Sequence, residues 1–182
     1  MIFTPAEIAG AWIVDIEPRR DDRGFFARTW CREAFEAHGL DPAVAQESVA
    51  FNERAGTLRG LHYLERPREE TKLVRCLQGS AHAVLLDLRP ESPTWSRWQG
   101  FELTGPSHRA LYVPATVALG YLTLSDATEI GYWISAPYSP VGEAGVRWDD
   151  PAFAIRWPAE PRVIAARDRN WPLRPAAGPP VL

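Results

Sequence analysis

Apolar and polar positions along this chain fall into short runs of the kind that form strands. From Val44 the segments AVAQESVAFN, TLRGLHYL, KLVRCLQ, SAHAVLLDLR, RWQGFELT, ALYVP, GYLTLS and EIGYWIS are β-branched, aromatic or alternating, and Gly, Pro, Ser and Asp separate them. Strands this short and this evenly spaced predict an all-β sandwich or jelly-roll barrel. Gly79, between KLVRCLQ and SAHAV, predicts a tight hairpin joining those two strands. Ahead of this block, AWIVDIEP reads as a strand ending at Pro18, and RRDDRGFFARTW as a turn into a second one. CREAFEAHG reads as a short helix with Ala34, Phe35 and Ala37 on one side and Gly39 as its stop. After Tyr138 strand signals thin out. Trp148, Phe153 and Trp157 need a surface to pack on, and the Pro-rich end from Trp171 to Leu182 predicts about ten loose terminal residues.

Composition narrows the picture. A chain of 182 residues without internal repeats is expected to form one domain, residues 1–182. Twenty basic and 23 acidic side chains leave a net charge of −3, and the arginines are dispersed, so no field is available to draw nucleic acid. Every apolar run is interrupted by charge, Gly or Pro before it could cross a bilayer, and MIFTPAEIAG has no secretory pattern. Cys31 and Cys76 lack CxxC spacing. A cytoplasmic protein with free thiols is expected.

Side-chain parity points to a pocket in the stretch Thr57–Arg89. Lys72 shares a strand face with Val74 and Cys76, which turns it inward, although a lysine at the first position of a strand can equally snorkel out from the rim. His62 shares a face with Leu58, Gly60 and Leu64; a lone histidine there is more often a satisfied core residue than a catalytic one. Tyr132 aligns with Ile130 and Ile134 and is therefore inward, where tyrosines are commonly structural. Arg59 has the opposite parity to His62, so both reach one pocket only if a bulge lies near Gly60. Arg23 beside Asp21 and Asp22 reads on its own as a solvated ion pair.

The strings RDDRGFF, TLRGLHY, TKLVRC, LDLRPESPTW, LYVPATVALGYLTLS, YWISAPYSP, GVRWDDPAFAIRWP and AARDRNWPL follow one another over about residues 10–173. In order and spacing they resemble the dTDP-4-dehydrorhamnose 3,5-epimerase family. The resemblance implies a cupin-like double-stranded β-helix, that is, a jelly-roll barrel with a few short helices. It implies a homodimeric isomerase without metal or other cofactor, acting on a nucleotide-linked 4-keto-6-deoxy sugar at carbon 3, carbon 5 or both. It also implies roles. His62 matches the catalytic base, Asp168 its carboxylate partner, Lys72 the cation beside the negative oxygen, and Tyr132 the acid on the opposite face. Arg59 and Arg23 match diphosphate-binding arginines, Arg23 reaching across the dimer, and Gln46 a nucleotide contact. Phe26, Tyr138, Arg167 and Leu119 complete the substrate-binding set. A neutral histidine and a fixed cation are the groups that removing a proton next to a ketone requires.

Three positions depart from the family pattern: Ser48 stands where asparagine is frequent, Thr116 where glycine is general, and Leu119 where histidine is general. Leucine neither donates nor accepts a proton, which predicts inversion at one carbon only, or a differently substituted keto sugar. With Leu119 in place and only one histidine in HYL, no metal is expected; His38, His82 and His108 lie elsewhere. A ketoisomerase on the same substrate class, or a jelly roll that binds the sugar nucleotide without turning it over, are the competing functions.

Overall fold

The computed structural model describes residues 1–139 and 141–174; the terminal looseness expected above falls almost wholly outside the described residues. In chain order the strands are β1 (Ile2–Pro5), β2 (Trp12–Asp15), β3 (Arg19–Asp21), β4 (Gly24–Phe26), β5 (Gln46–Asn52), β6 (Thr57–Leu64), β7 (Lys72–Gln78) and β8 (Ser80–Asp87), followed by β9 (Trp98–Thr104), β10 (Ala110–Val113), β11 (Val117–Thr123), β12 (Thr128–Ile134), β13 (Glu143–Gly145) and β14 (Val163–Ile164). Helices α1 (Arg32–Glu36) and α2 (Ala166–Arg169) are a single turn or little more. Every strand expected between Val44 and Ser135 is present. β1, β13 and β14 were not foreseen: each has four residues or fewer, too few for an alternation to register.

Two sheets stack face to face. The first runs β1-β2-β10-β7-β12-β5; the second runs β13-β6-β11-β8-β9 with β14 added beside β6. From β5 to β8, and again from β9 to β13, consecutive strands alternate between these sheets, β6 and β8 lying in the second and β7 in the first, while β3 and β4 form a separate two-stranded ribbon. This corrects the hairpin expected at Gly79. β7 pairs with β10 and β12, and β8 with β9 and β11, so Gly79 is a corner at which the chain changes sheets. Its positive φ of 77° is real, but a Cβ there would come within 2.6 Å of Thr128 Oγ1, which is the crowding of a corner.

The core between the sheets is formed by Val74, Cys76, Leu111 and Ile130 of the first and Ala83, Leu85, Phe101, Leu103 and Tyr121 of the second, among others. Both outer faces are covered as well. Leu73, Ala110 and Tyr112 pack under Phe35 of α1, and Leu61, Tyr63, Val84 and Leu86 lie under Phe153, Ile155 and Trp157 of the strand-poor C-terminal region. That explains why β11 is buried at all seven positions and reads as a continuous apolar run. The aromatic residues of GVRWDDPAFAIRWP are thus the lid of one sheet, and Trp157 Nε1 donates to the carbonyl of Trp148 at 2.9 Å. The LDLRPESPTW string also has a structural use. Asp87 is fully buried and accepts from Arg89, Ser92 and Thr94 at 2.6–2.8 Å, which ties together the loop between β8 and β9.

β6 carries an irregularity that matters later. Opposite β11 its register passes from His62↔Leu119 to Arg59↔Tyr121, so three residues of β6 span two of β11. The extra residue is accommodated at Gly60, with φ 111° and so little room that a Cβ would sit 2.6 Å from Gly120 Cα and from the Leu119 carbonyl oxygen. Both contacts are backbone and cannot swing aside. Gly60→Ala is therefore expected to destabilise the fold by about 2–3 kcal/mol, read as a lowered urea midpoint; an unchanged midpoint would show that the two strands separate without cost.

Candidate active site

The bulge at Gly60 brings residues of opposite parity into one cavity. His62 and Arg59 both line a space of about 230 Å³ between the sheets, together with Leu119 and Tyr121, and with Ser48, Lys72 and Tyr132 from the facing sheet. A smaller adjoining space of about 80 Å³ is lined by His62, Lys72, Gln46 and Tyr138 and opens the cavity outward. The inward orientation expected of Lys72 and Tyr132 holds: Val74, Cys76 and Ile130 on the same faces belong to the inter-sheet core.

His62 is oriented by Asp168. Their Nε2 and Oδ1 atoms are 2.6 Å apart, and the other carboxylate oxygen accepts from the Gly60 backbone N–H at 3.1 Å. Donation of Nε2–H to Asp168 leaves the lone pair on Nδ1, the tautomer a base requires. Asp168 arrives from 106 residues away because β14 pairs in parallel with the start of β6, Val163 with Thr57 and Ile164 with Leu58, and α2 follows at once. The C-terminal segment thus folds back onto the barrel. Burial opposes ionisation of the Asp168 carboxyl, but the bond and charge of His62, the Gly60 N–H and the charge of Arg167 outweigh it and hold the group below the ordinary carboxylate range. Arg167 itself lies 3.4 Å from His62 Nε2 and pairs with Glu143 at 2.7 Å.

Across the cavity, Tyr132 is pushed well above the usual phenol range, first by burial and then by the neighbouring Tyr121 phenol, so it stands as the neutral phenol. Lys72 sits at the first position of β7 with its ammonium 3.0 Å from the Glu70 carboxylate. Arg59 donates to Asn52 Oδ1 at 2.9 Å and to the Phe51 carbonyl at 3.3 Å, which aims the guanidinium along the cavity wall. Gln46 accepts from the Tyr138 N–H at 2.8 Å, and the Tyr138 ring is 71 % exposed at the mouth. Leu119 lies directly opposite His62 in the strand register and is buried.

Two expected residues are not at this cavity. Arg23 pairs with Asp21 on the β3–β4 turn, and Phe26, 78 % exposed, lies on the same hairpin beside a different cleft. Four residues were missed. Tyr121 shares the parity of Leu119 in VALGYLT, and Glu70 stands two places before Lys72, so both could have been read from the strand pattern. Asn52 closes β5, and its Oδ1 accepts from both Arg59 and the buried Tyr121 hydroxyl. Glu143 sits on β13, too short to be legible. Among the described residues no three His, Cys, Asp or Glu side chains come together as metal ligands would, Cys31 and Cys76 are free thiols, and no helix is long and apolar enough to cross a membrane.

Comparison with known proteins places this geometry. The family model for dTDP-4-dehydrorhamnose 3,5-epimerase matches residues 5–174. A dTDP-4-dehydrorhamnose 3,5-epimerase of Methanothermobacter thermautotrophicus is 36% identical over 176 residues, covering 94% of each chain. Among solved structures, the dTDP-4-dehydrorhamnose 3,5-epimerase of Bacillus anthracis with TDP and PPi bound superposes with a TM-score of 0.91 at 34% identity, covering 95% of this chain and 99% of the other. A 3'-monoepimerase from Streptomyces bikiniensis in complex with dTDP-quinovose gives 0.85 at 34% identity, covering 92% and 85%.

The His62–Asp168 pair generates a pH prediction. Because the carboxyl is held below its ordinary value, the stability it contributes is complete above about pH 4, the ordinary carboxylate value, and fades as pH falls through the lower value of the folded state. The excess stability of the native protein over Asp168→Asn is thus expected to shrink as pH falls below about 4. Urea unfolding of both proteins from about pH 5 downward checks it; a gap that widens below about pH 4 would mean that Asp168 is not held ionised.

Proposed function

This chain belongs to the dTDP-4-dehydrorhamnose 3,5-epimerase family, and we propose that it inverts a carbon beside the ketone of a nucleotide-linked 4-keto-6-deoxy sugar, with His62, Lys72 and Tyr132 handling proton and charge. It is an isomerase of the epimerase type, and its relatives are 3,5-epimerases and 3-epimerases of dTDP-sugars. The observation that carries the reading is the opposition of His62 on β6 to Tyr132 on β12. One comes from each sheet, and both line the same cavity as Lys72.

A sugar ring lying between the sheets presents one face to each. His62 Nδ1 takes the proton from the carbon next to the ketone, and the electron pair of the broken C–H bond moves into an enolate whose oxygen is stabilised by the Lys72 ammonium. Asp168 stabilises the imidazolium that forms. Tyr132 then gives its phenolic proton to the same carbon from the other face, which inverts it, and solvent returns a proton to the phenolate and takes one from the imidazolium. These steps require no metal and no organic cofactor, since Lys72 supplies the positive charge.

Arg59 is suited to the diphosphate, and Gln46, Tyr138 and Arg167 at the mouth to the nucleotide end. The reading extends to a homodimer in the cytoplasm, each chain a single domain. Supporting the dimer, β5 is an open sheet edge that exposes Val49 and Phe51, and the exposed hairpin carrying Arg23 and Phe26 is free to reach the site of a second copy. Leu119, directly opposite His62, sets a side chain that neither donates nor accepts a proton beside the histidine, which favours inversion at one carbon.

Incubation with dTDP-4-keto-6-deoxyglucose in heavy water, followed by NMR, tests both points. Deuterium is expected to enter one of carbons 3 and 5 at least about tenfold faster than the other; equal rates at both overturn the one-carbon reading. His62→Asn is expected to slow exchange by about 10²–10⁴-fold with dTDP binding retained, whereas unchanged exchange would favour a binding-only jelly roll. Tyr132→Phe should still wash deuterium into the substrate through His62 while losing inversion; inversion at the native rate would remove Tyr132 from the mechanism.

A further inference from the structure

Lys72 is the only lysine in the chain, against 19 arginines. Its ammonium is largely buried, and its partner among the described residues is Glu70, 3.0 Å away with an 11 % exposed side chain. Glu70 borders both the inner cavity and its outer extension, between Lys72, His62 and Glu143. Of the other charged and amide groups around it, Glu143 is held by Arg167, Arg59 by Asn52 and Phe51, and Gln46 by the Tyr138 N–H. Glu70, by contrast, meets only Lys72 among the described residues, which leaves its second oxygen free to accept.

A carboxylate at this place needs a reason. It stands close to where the enolate oxygen develops, so its charge opposes the charge that Lys72 is there to stabilise. A contact made with the substrate would offset that opposition. In a 4-keto-6-deoxy sugar, carbon 5 carries a methyl group and carbon 3 a hydroxyl, so the ketone has one hydroxylated neighbour. An ammonium only donates and a carboxylate only accepts. Placed 3.0 Å apart, the two heads match a ketone oxygen and a vicinal hydroxyl, themselves a hydrogen-bond length apart.

We propose that Glu70 is a specificity-determining residue that accepts a hydrogen bond from the carbon-3 hydroxyl while Lys72 donates to the adjoining ketone, so that the pair reads an α-hydroxyketone. This rests on the role of Lys72 in the proposed function above. A sugar without the hydroxyl leaves the carboxylate facing the cavity unpaired and is discriminated against on that account.

The test crosses two substrates with two variants. Native protein, Glu70→Gln and Glu70→Asp are each given the dTDP-linked 4-keto-6-deoxy sugar and its 3-deoxy counterpart, and deuterium entry beside the ketone gives kcat/KM while calorimetry gives Kd. Glu70→Gln, of the same size, is expected to lose about 10–100-fold in kcat/KM on the hydroxylated sugar and less than about threefold on the 3-deoxy sugar. Glu70→Asp, which keeps the charge but withdraws it by one methylene, should fall between and restore part of the preference. Equal losses on both sugars would overturn the proposal, because Glu70 would then act through Lys72 alone; so would no loss on either. If native protein exchanges neither substrate, the epimerase reading fails by itself, and the same crossed comparison in Kd decides Glu70: a preference for the hydroxyl that Glu70→Gln abolishes upholds the contact, and indifference in Kd refutes it.

Discussion

The parallel pairing of β14 with the first residues of β6 is the contact on which the site depends. It spans two residues, Val163 and Ile164 against Thr57 and Leu58, with the Arg162 and Val163 N–H groups also bonded to the Gly56 carbonyl at 2.8 and 3.1 Å. Through it a segment more than a hundred residues downstream is registered against the strand that carries His62, and the single turn of α2 then sets Asp168 over the bulge at Gly60. The carboxylate is shared between the imidazole and the Gly60 N–H, so the irregularity in β6 and the orientation of the imidazole are held by one group. Both bonds end on a carboxylate that is almost fully withdrawn from water, where charge-assisted bonds are strongest.

What the bulge gives up in regularity it returns in reach. A regular strand would send Arg59 and His62 to opposite faces; the extra residue turns both into the space between the sheets. The facing sheet supplies Lys72 and Tyr132 by ordinary alternation, so the chemistry is divided between two walls of one sandwich. Both outer faces are covered, by α1 on one and the Trp157 region on the other, so the side chains lining the cavity stand on walls packed from behind. The cavity is lined by positive charge on Lys72 and Arg59 and negative charge on Glu70 and Glu143, with Arg167 and Asp168 beside His62, so its field is set by which partner each cation already has.

Strand positions and inward faces were legible because they depend on neighbours two residues apart. β6 and β7 run over the segments expected, Thr57–Leu64 and Lys72–Gln78, and Lys72, His62 and Tyr132 point where parity put them. Gly60 was legible as a condition, since a bulge there was needed if Arg59 and His62 were to meet. Gly79 was misread for a physical reason: a positive-φ glycine between two strands serves a hairpin and a change of sheet equally well, and only the pairing partners tell them apart. The continuous burial of β11 likewise blurred the alternation that would have drawn attention to Tyr121.

By itself the sequence determined an all-β fold, the strands, the faces on which a histidine, a lysine and a tyrosine lie, and, by resemblance in the order of its motifs, the family. Those are properties of short windows and of their order, and they survive without knowledge of what packs against what. Tertiary structure alone decided that Glu70 holds Lys72, that Leu119 pairs directly opposite His62, and that Arg23 and Phe26 lie away from their own chain's cavity, and it brought Asp168 to His62 as the resemblance had implied. Each of these is a meeting of residues from different strands, fixed by register and by a two-residue parallel pairing whose signal in the sequence is too short to read.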